Sequence, residues 1–156
     1  MTLLPFFQWI SDTGPGILIR KSTYAFPVLE VLHLMGLTLL LGVVLTLDLR
    51  LLGVGLRRQT APVVVQSLSP AFWAGLAMTL VSGTILFIGE PVKCFFNAAF
   101  WWKMGLLIAA LVVQTLLFRR AAGSPLESAR TGRLIAILSL ALWSGVGVAG
   151  RAIGFI

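Results

Sequence analysis

Glu30 and His33 stand three residues apart within an apolar run, a spacing that puts both on one face of a helix. Ionisable side chains in such a run are costly unless they have a partner or a function. Lys103 and Arg151 stand at the ends of two later apolar runs. An imidazole is a ligand type for haem iron, and an apolar helical interior can enclose a porphyrin. In that reading His33 is the metal ligand, Glu30 is its helix-face neighbour or an ion-pair partner, and Lys103 and Arg151 pair with the propionates of haem b. Trp102 and other aromatic side chains pack on the macrocycle.

The chain has one histidine, so a second axial imidazole is not available within one copy. The sixth position would be open, taken by Met35, Met78 or Met104, or supplied by another subunit. In the cofactor-free alternative, Glu30 pairs with Arg151 or Lys103, and His33 bonds to a serine, a threonine or a backbone carbonyl. A copper reading draws on His33, Cys94 and the same methionines, which are soft enough for Cu(I) but show no ligand spacing. No nucleophile–base set, phosphate loop or pair of catalytic carboxylates is present.

These residues need elements to hold them, and composition says which kind. The chain has 156 residues, 58% hydrophobic and 11% charged, against roughly 25% charged in soluble domains. Mean hydropathy is +1.00. That excludes a disordered chain, a disulfide scaffold and an ordinary water-soluble enzyme, and points to an integral membrane protein. The net charge of +7 comes from short basic runs between apolar segments, with no basic stripe interleaved with aromatics. It reads as membrane orientation and excludes nucleic acid. The single cysteine, Cys94, forms no internal disulfide.

Four apolar segments, at about 25–47, 71–89, 100–118 and 134–153, are each near the roughly 20 residues that cross a bilayer core. They are too long for strands and lack barrel alternation. The expected fold is therefore an all-α integral membrane four-helix bundle, read as a single domain over 1–156. Residues 1–24, interrupted at Ser11 to Gly16, are expected to form one or two short interfacial helices rather than a cleavable signal. Gly123, Ser124 and Pro125 mark a connector.

Arg50, Arg57 and Arg58 fall between the first two spans, and Arg119, Arg120, Arg130 and Arg133 between the last two. Fewer basic residues lie on the other side. The positive-inside bias then places both termini outside, periplasmic in a Gram-negative cell. Glu30, His33, Lys103 and Arg151 all fall in the outer half of the membrane. Asp48 and Arg50 close the first span as an ion pair or a cap, with a role in a proton path as the alternative. Gly145, Gly147, Gly150 and Gly154 give the last span a small-residue face suited to close helix approach, within the bundle or in a dimer.

The runs PVLEVLHLMGLTLLLGVVLTLDLRLLG (27–53), SGTILF (82–87), NAAFWWKMGLL (97–107) and LWSGVGVAGRAIG (142–154) resemble an uncharacterised family of small four-span bacterial inner-membrane proteins. The likeness covers most of the chain. More distantly, the His-bearing first helix and the lysine heading a later one are similar to the membrane domain of the copper-resistance D family. The resemblance implies a four-span fold and a site at His33, Lys103 and Arg151.

The expected function is thus a haem b-binding, cytochrome-like protein, for electron transfer or for anchoring a redox partner in the bacterial inner membrane. The alternatives are transport of copper or a small solute, and a cofactor-free structural subunit. The expected partners are the lipid bilayer and a second copy or a larger membrane complex.

Overall fold

A computed structural model describes residues 3–54, 58–123 and 129–155, the side chains of 119–123 and 129 excepted. Arg57, Ser124 and Pro125 lie outside the described residues. Helices α3 (Ala25–Leu52), α4 (Ala61–Gly89), α6 (Ala98–Gly123) and α7 (Ala129–Ala152) are the long ones. Each contains a stretch long and apolar enough to cross a membrane. The short helices are α1 (Leu4–Ser11), α2 (Gly14–Lys21) and α5 (Pro91–Phe96). The protein is an all-α membrane bundle, and its N-terminal segment forms two helices.

Local chemistry sets the ends. Helix α3 stops where Gly53 turns left-handed (φ 78°). Its N–H bonds to the Arg50 carbonyl at 3.1 Å, and the Val54 N–H reaches the Leu49 carbonyl at 3.0 Å. That pair of bonds is a Schellman stop. Helix α4 begins ten residues before the expected start at Ala71. Pro62 occupies its first turn, where a missing N–H costs nothing, and Pro70 lies inside the helix. An interior proline reads as a boundary in sequence but is tolerated in membrane helices, where neighbours satisfy the freed carbonyls. Helix α5 falls in a stretch read as a connection, with Pro91 at its first turn.

The four long helices pack as a ring in which α3 meets α4, α4 meets α6, α6 meets α7, and α7 returns to α3. Neighbours run antiparallel. His33 pairs in height with Ser82, Phe87 with Phe100 and Phe72 with Phe118, and Gln114 with Ser139. Leu40, Val43, Val44, Phe72, Leu76, Ala110, Trp143 and Val146 form the central core. Leu47, Val64, Val65 and Leu117 continue it toward the far end.

Large apolar side chains such as Val31, Trp73, Ile108, Leu116 and Val148 cover the outside, while Asp48, Gln114 and Ser139 are buried. A helix that is apolar all round suits a lipid environment, where apolar side chains need no burial in protein. This is the pattern of a multi-pass membrane protein.

The closest helix approach differs from the expectation. A Cβ on Gly36 would stand 2.9 Å from the Thr79 backbone nitrogen, and one on Gly75 2.9 Å from the Leu40 nitrogen. Helices α3 and α4 are therefore the pair in backbone contact. The glycines of α7 face side chains or open space. A Cβ on Gly145 meets Leu106, one on Gly150 meets Lys103, and one on Gly147 meets nothing within 4 Å.

Helices α1 and α2 close over one end. Phe7 packs between Phe95 and Phe87, with ring centroids at 5.0 and 5.5 Å. Gly16 sits against the Ile10, Ser11 and Ile88 carbonyl oxygens, each 3.1 Å from where its Cβ would be. Arg20 then ties α2 to the Ser11 hydroxyl at 2.5 Å and the Gly89 carbonyl at 3.4 Å.

Candidate functional site

The tight α3–α4 pair fixes His33. Three residues before Gly36, its ring lies on Gly83, where a Cβ would stand 3.0 Å from Cε1 and 3.4 Å from Nδ1. Nδ1 is 3.0 Å from the Ser82 hydroxyl oxygen. That hydroxyl donates its proton to the Met78 carbonyl at 2.6 Å. A serine has one proton to give, so Nδ1 carries the hydrogen and donates to Ser82. The other ring nitrogen, Nε2, then keeps its lone pair. A neutral imidazole held in this way is the form in which histidine ligates a metal or accepts a proton.

The α6–α7 pair supplies the opposite wall. Asn97 caps α6 by accepting the Ala99 N–H at 2.9 Å, and its amide donates to the Ile153 carbonyl at 3.3 Å. A side-chain acceptor at this position satisfies one of the orphan donors of the first turn. It also locks the head of α6 to the tail of α7. Lys103, just over one turn further on, consequently lies along Gly150, with Cε and Nζ each 3.5 Å from where a Cβ would stand. Arg151 lies over the Phe155 ring at 4.9 Å.

Between these walls is a cavity of about 610 Å³ lined by residues of α3, α4, α5, α6 and α7. Ligand pockets run to roughly 300–1,000 Å³. Glu30, His33, Lys103 and Arg151 all line it, so four of the five residues singled out in the sequence share one space. Trp102 does not line it and is 72% exposed on the outer surface. Trp143 lines it instead. None of Met35, Met78 and Met104 lines the cavity. Among the described residues no three His, Cys, Asp or Glu side chains come together as a metal-binding group.

The expected ion pairs are absent among the described residues. Neither Glu30 with Lys103 or Arg151, nor Asp48 with Arg50, makes a salt bridge. The pair present is Glu90–Lys93 at 3.5 Å, three residues apart across the start of α5. Asp48 is fully buried, and Arg50 instead donates to the Gln59 carbonyl at 2.6 Å. The cavity thus holds Lys103 without a carboxylate partner among the described residues.

Helix α5 and its N-cap add residues to the cavity, since Glu90, Lys93 and Cys94 all line it. Of these, Cys94 alone has a role in the sequence reading, as a soft donor for copper. Burial, and then the Glu90 carboxylate, push the Cys94 thiol above its ordinary value, while Lys103 and Lys93 pull it down less strongly. The Ser82–Gly83 pair, legible in sequence as a place for a neighbouring helix or a flat ligand, holds the His33 ring.

The donor set is of a kind that can hold a haem: one imidazole and two basic side chains line the same cavity as Gly83, Gly147, Gly150 and Gly154. The set does not build a protein-only metal cage.

The chain matches, over residues 6–156, the family model described as a family of unknown function, DUF6644, and belongs to that family. No curated protein and no solved structure matches it.

Proposed function

We propose that this chain binds haem b in the cavity between α3, α4, α6 and α7 and serves electron transfer or anchors a redox partner. The observation that carries the reading is His33. Its Nδ1 is taken by the Ser82 hydroxyl, which makes Nε2 the nitrogen for ligation in the neutral ring, and His33 lines a cavity that also holds Lys103 and Arg151. Lys103 and Arg151 would hold the propionates, and His33 would be an axial ligand. When bound, haem iron supplies one-electron chemistry, with a potential set by its ligands and surroundings. The chain's own contribution is to orient the imidazole, neutralise the anionic edge and keep the apolar faces dry.

In this reading the cavity faces the outer side of a bacterial inner membrane, with both termini there, and the basic residues between spans support that orientation. Copper handling, the reading the distant resemblance suggested, has less support, because the methionines lie off the cavity and Cys94 is the one soft donor that shares it with His33.

The test is to purify the protein in mild detergent from haem-replete cells and record oxidised and dithionite-reduced spectra beside His33→Ala. A Soret band with reduced α and β bands, lost in the variant, is the expected result. A colourless wild type that takes up no added haemin overturns it.

A further inference from the structure

The end of the bundle away from the cavity contains a second polar group, and its hydrogen bonds do not close. Asp48 and Gln114 are fully buried, and Ser139 and Trp143 are 1% and 3% exposed. The Gln114 Oε1 accepts from the Ser139 hydroxyl at 3.2 Å and from the Trp143 indole N–H at 3.4 Å. An indole nitrogen only donates, so the amide orientation is fixed and Nε2 faces the other way. That Nε2 and both Asp48 carboxylate oxygens have no hydrogen-bond partner among the described residues. Ser139 also faces Asp48, which makes it the link between carboxyl and amide.

We propose that Asp48, Ser139 and Gln114 form a proton-binding site inside the bundle. A carboxylate buried in apolar surroundings without a countercharge is too costly to keep, and taking up a proton removes the cost. Among the described residues packed against it, none supplies a countercharge. Helix α4 presents Val64, Val65 and Leu68 here, α6 Leu117 and Phe118, and α7 Ile135. On α3 itself Arg50 is engaged by the Gln59 carbonyl. Arg130 and Arg133 stand exposed on the first turns of α7, and Arg119 and Arg120 follow Phe118 in sequence. Glu30, His33, Lys103 and Arg151 belong to the cavity, and His33 is about 22 Å from Asp48 along α3 at 1.5 Å per residue.

A protonated Asp48 gains a donor, and Ser139 offers the acceptor. Gln114 accepts the Ser139 hydroxyl proton, which leaves a Ser139 lone pair to accept from Asp48. The site binds a proton whether or not the cavity binds haem.

Infrared spectroscopy of the full chain in detergent, without added haem, tests this. The carboxylic acid C=O band of the wild type is expected to be lost in Asp48→Asn, which keeps the neutral shape. Raising the pH is expected to bleach the same band. Ser139→Ala is expected to shift its frequency. Wild-type and Asp48→Asn spectra that coincide at every pH overturn the proposal. So does a band abolished by sodium but not by choline at fixed pH, which assigns a cation site. If Asp48→Asn fails to fold, the Ser139→Ala shift decides, and an unmoved band counts against the site.

Discussion

Lys103 and Gly150 meet across α6 and α7, with the ammonium nitrogen 3.5 Å from where a Cβ at position 150 would stand. That distance is ordinary contact, so Gly150→Ala is accommodated. It is expected to leave thermal stability in detergent unchanged or raise it by up to about 1 kcal/mol, the helix-propensity gain of alanine over glycine. Gly150→Leu pushes the lysine stem off the wall and fills the cavity. It is expected to fold but to weaken haemin binding by roughly tenfold or more, about 1.4 kcal/mol. Fluorescence or absorbance titration of the two variants separates ligand space from packing. Equal binding by both would mean that the ligand does not use this wall.

The His33–Ser82 bond sets which ring nitrogen is free. Removing the hydroxyl in Ser82→Ala frees the ring to rotate and to change tautomer. Groups that orient a metal-ligating histidine typically contribute roughly 10–100-fold in affinity. Ser82→Ala is therefore expected to fold, bind haemin more weakly by a factor in that range, and show altered reduced-state bands. Ser82→Thr keeps the hydroxyl and is expected to recover much of the loss. Wild-type affinity and spectra in Ser82→Ala would show that His33 is not a ligand.

The four spans, the interfacial start and the gathering of Glu30, His33, Lys103 and Arg151 could be read from the chain because hydropathy and helical rise fix depth. Depth does not fix azimuth. Trp102 lies at the right height but faces outward, whereas Trp143 turns in, and only the packing of α6 on α7 decides between them. The same limit applied to Asp48 and Arg50. Adjacent polar residues at a helix end suggest a cap, yet residues two apart point to different sides, so one is buried and the other bonds a loop carbonyl. The glycines of α7 drew attention by their number. Gly75, Thr79 and Gly83 recur every four residues on α4, and that spacing is the signal that could have located the close α3–α4 pair.

That pair carries a stability prediction. A Cβ at Gly36 would meet backbone and side-chain atoms of Thr79 at 2.8–2.9 Å, and one at Gly75 would meet Leu40 backbone at 2.9 Å. Backbone cannot move aside as a side-chain tip can. Gly36→Ala and Gly75→Ala are each expected to destabilise by about 1–3 kcal/mol, the usual cost of overpacking. Gly42→Ala and Gly105→Ala, with nothing within 4 Å, are the controls and are expected to be neutral or slightly stabilising. Detergent thermal melts rank the four. If all behave alike, the bundle is not held by this contact.

Cys94 reports on the cavity from its α5 side. It is the chain's one cysteine, so every thiol modification belongs to it. Burial and the neighbouring Glu90 favour the neutral thiol in the folded protein. Maleimide labelling is therefore expected to be slower at neutral pH than in the SDS-unfolded chain, and its rise with pH is expected to come later. Because the folded state holds the proton more tightly, the associated stability is fully present below the unfolded thiol's pKa and is lost as pH rises through the folded one. The thermal midpoint should fall over that alkaline window, and less so in Cys94→Ala. Occupancy of the cavity should slow labelling further. Folded and unfolded chains labelling with the same pH profile would place Cys94 in water rather than on the cavity wall.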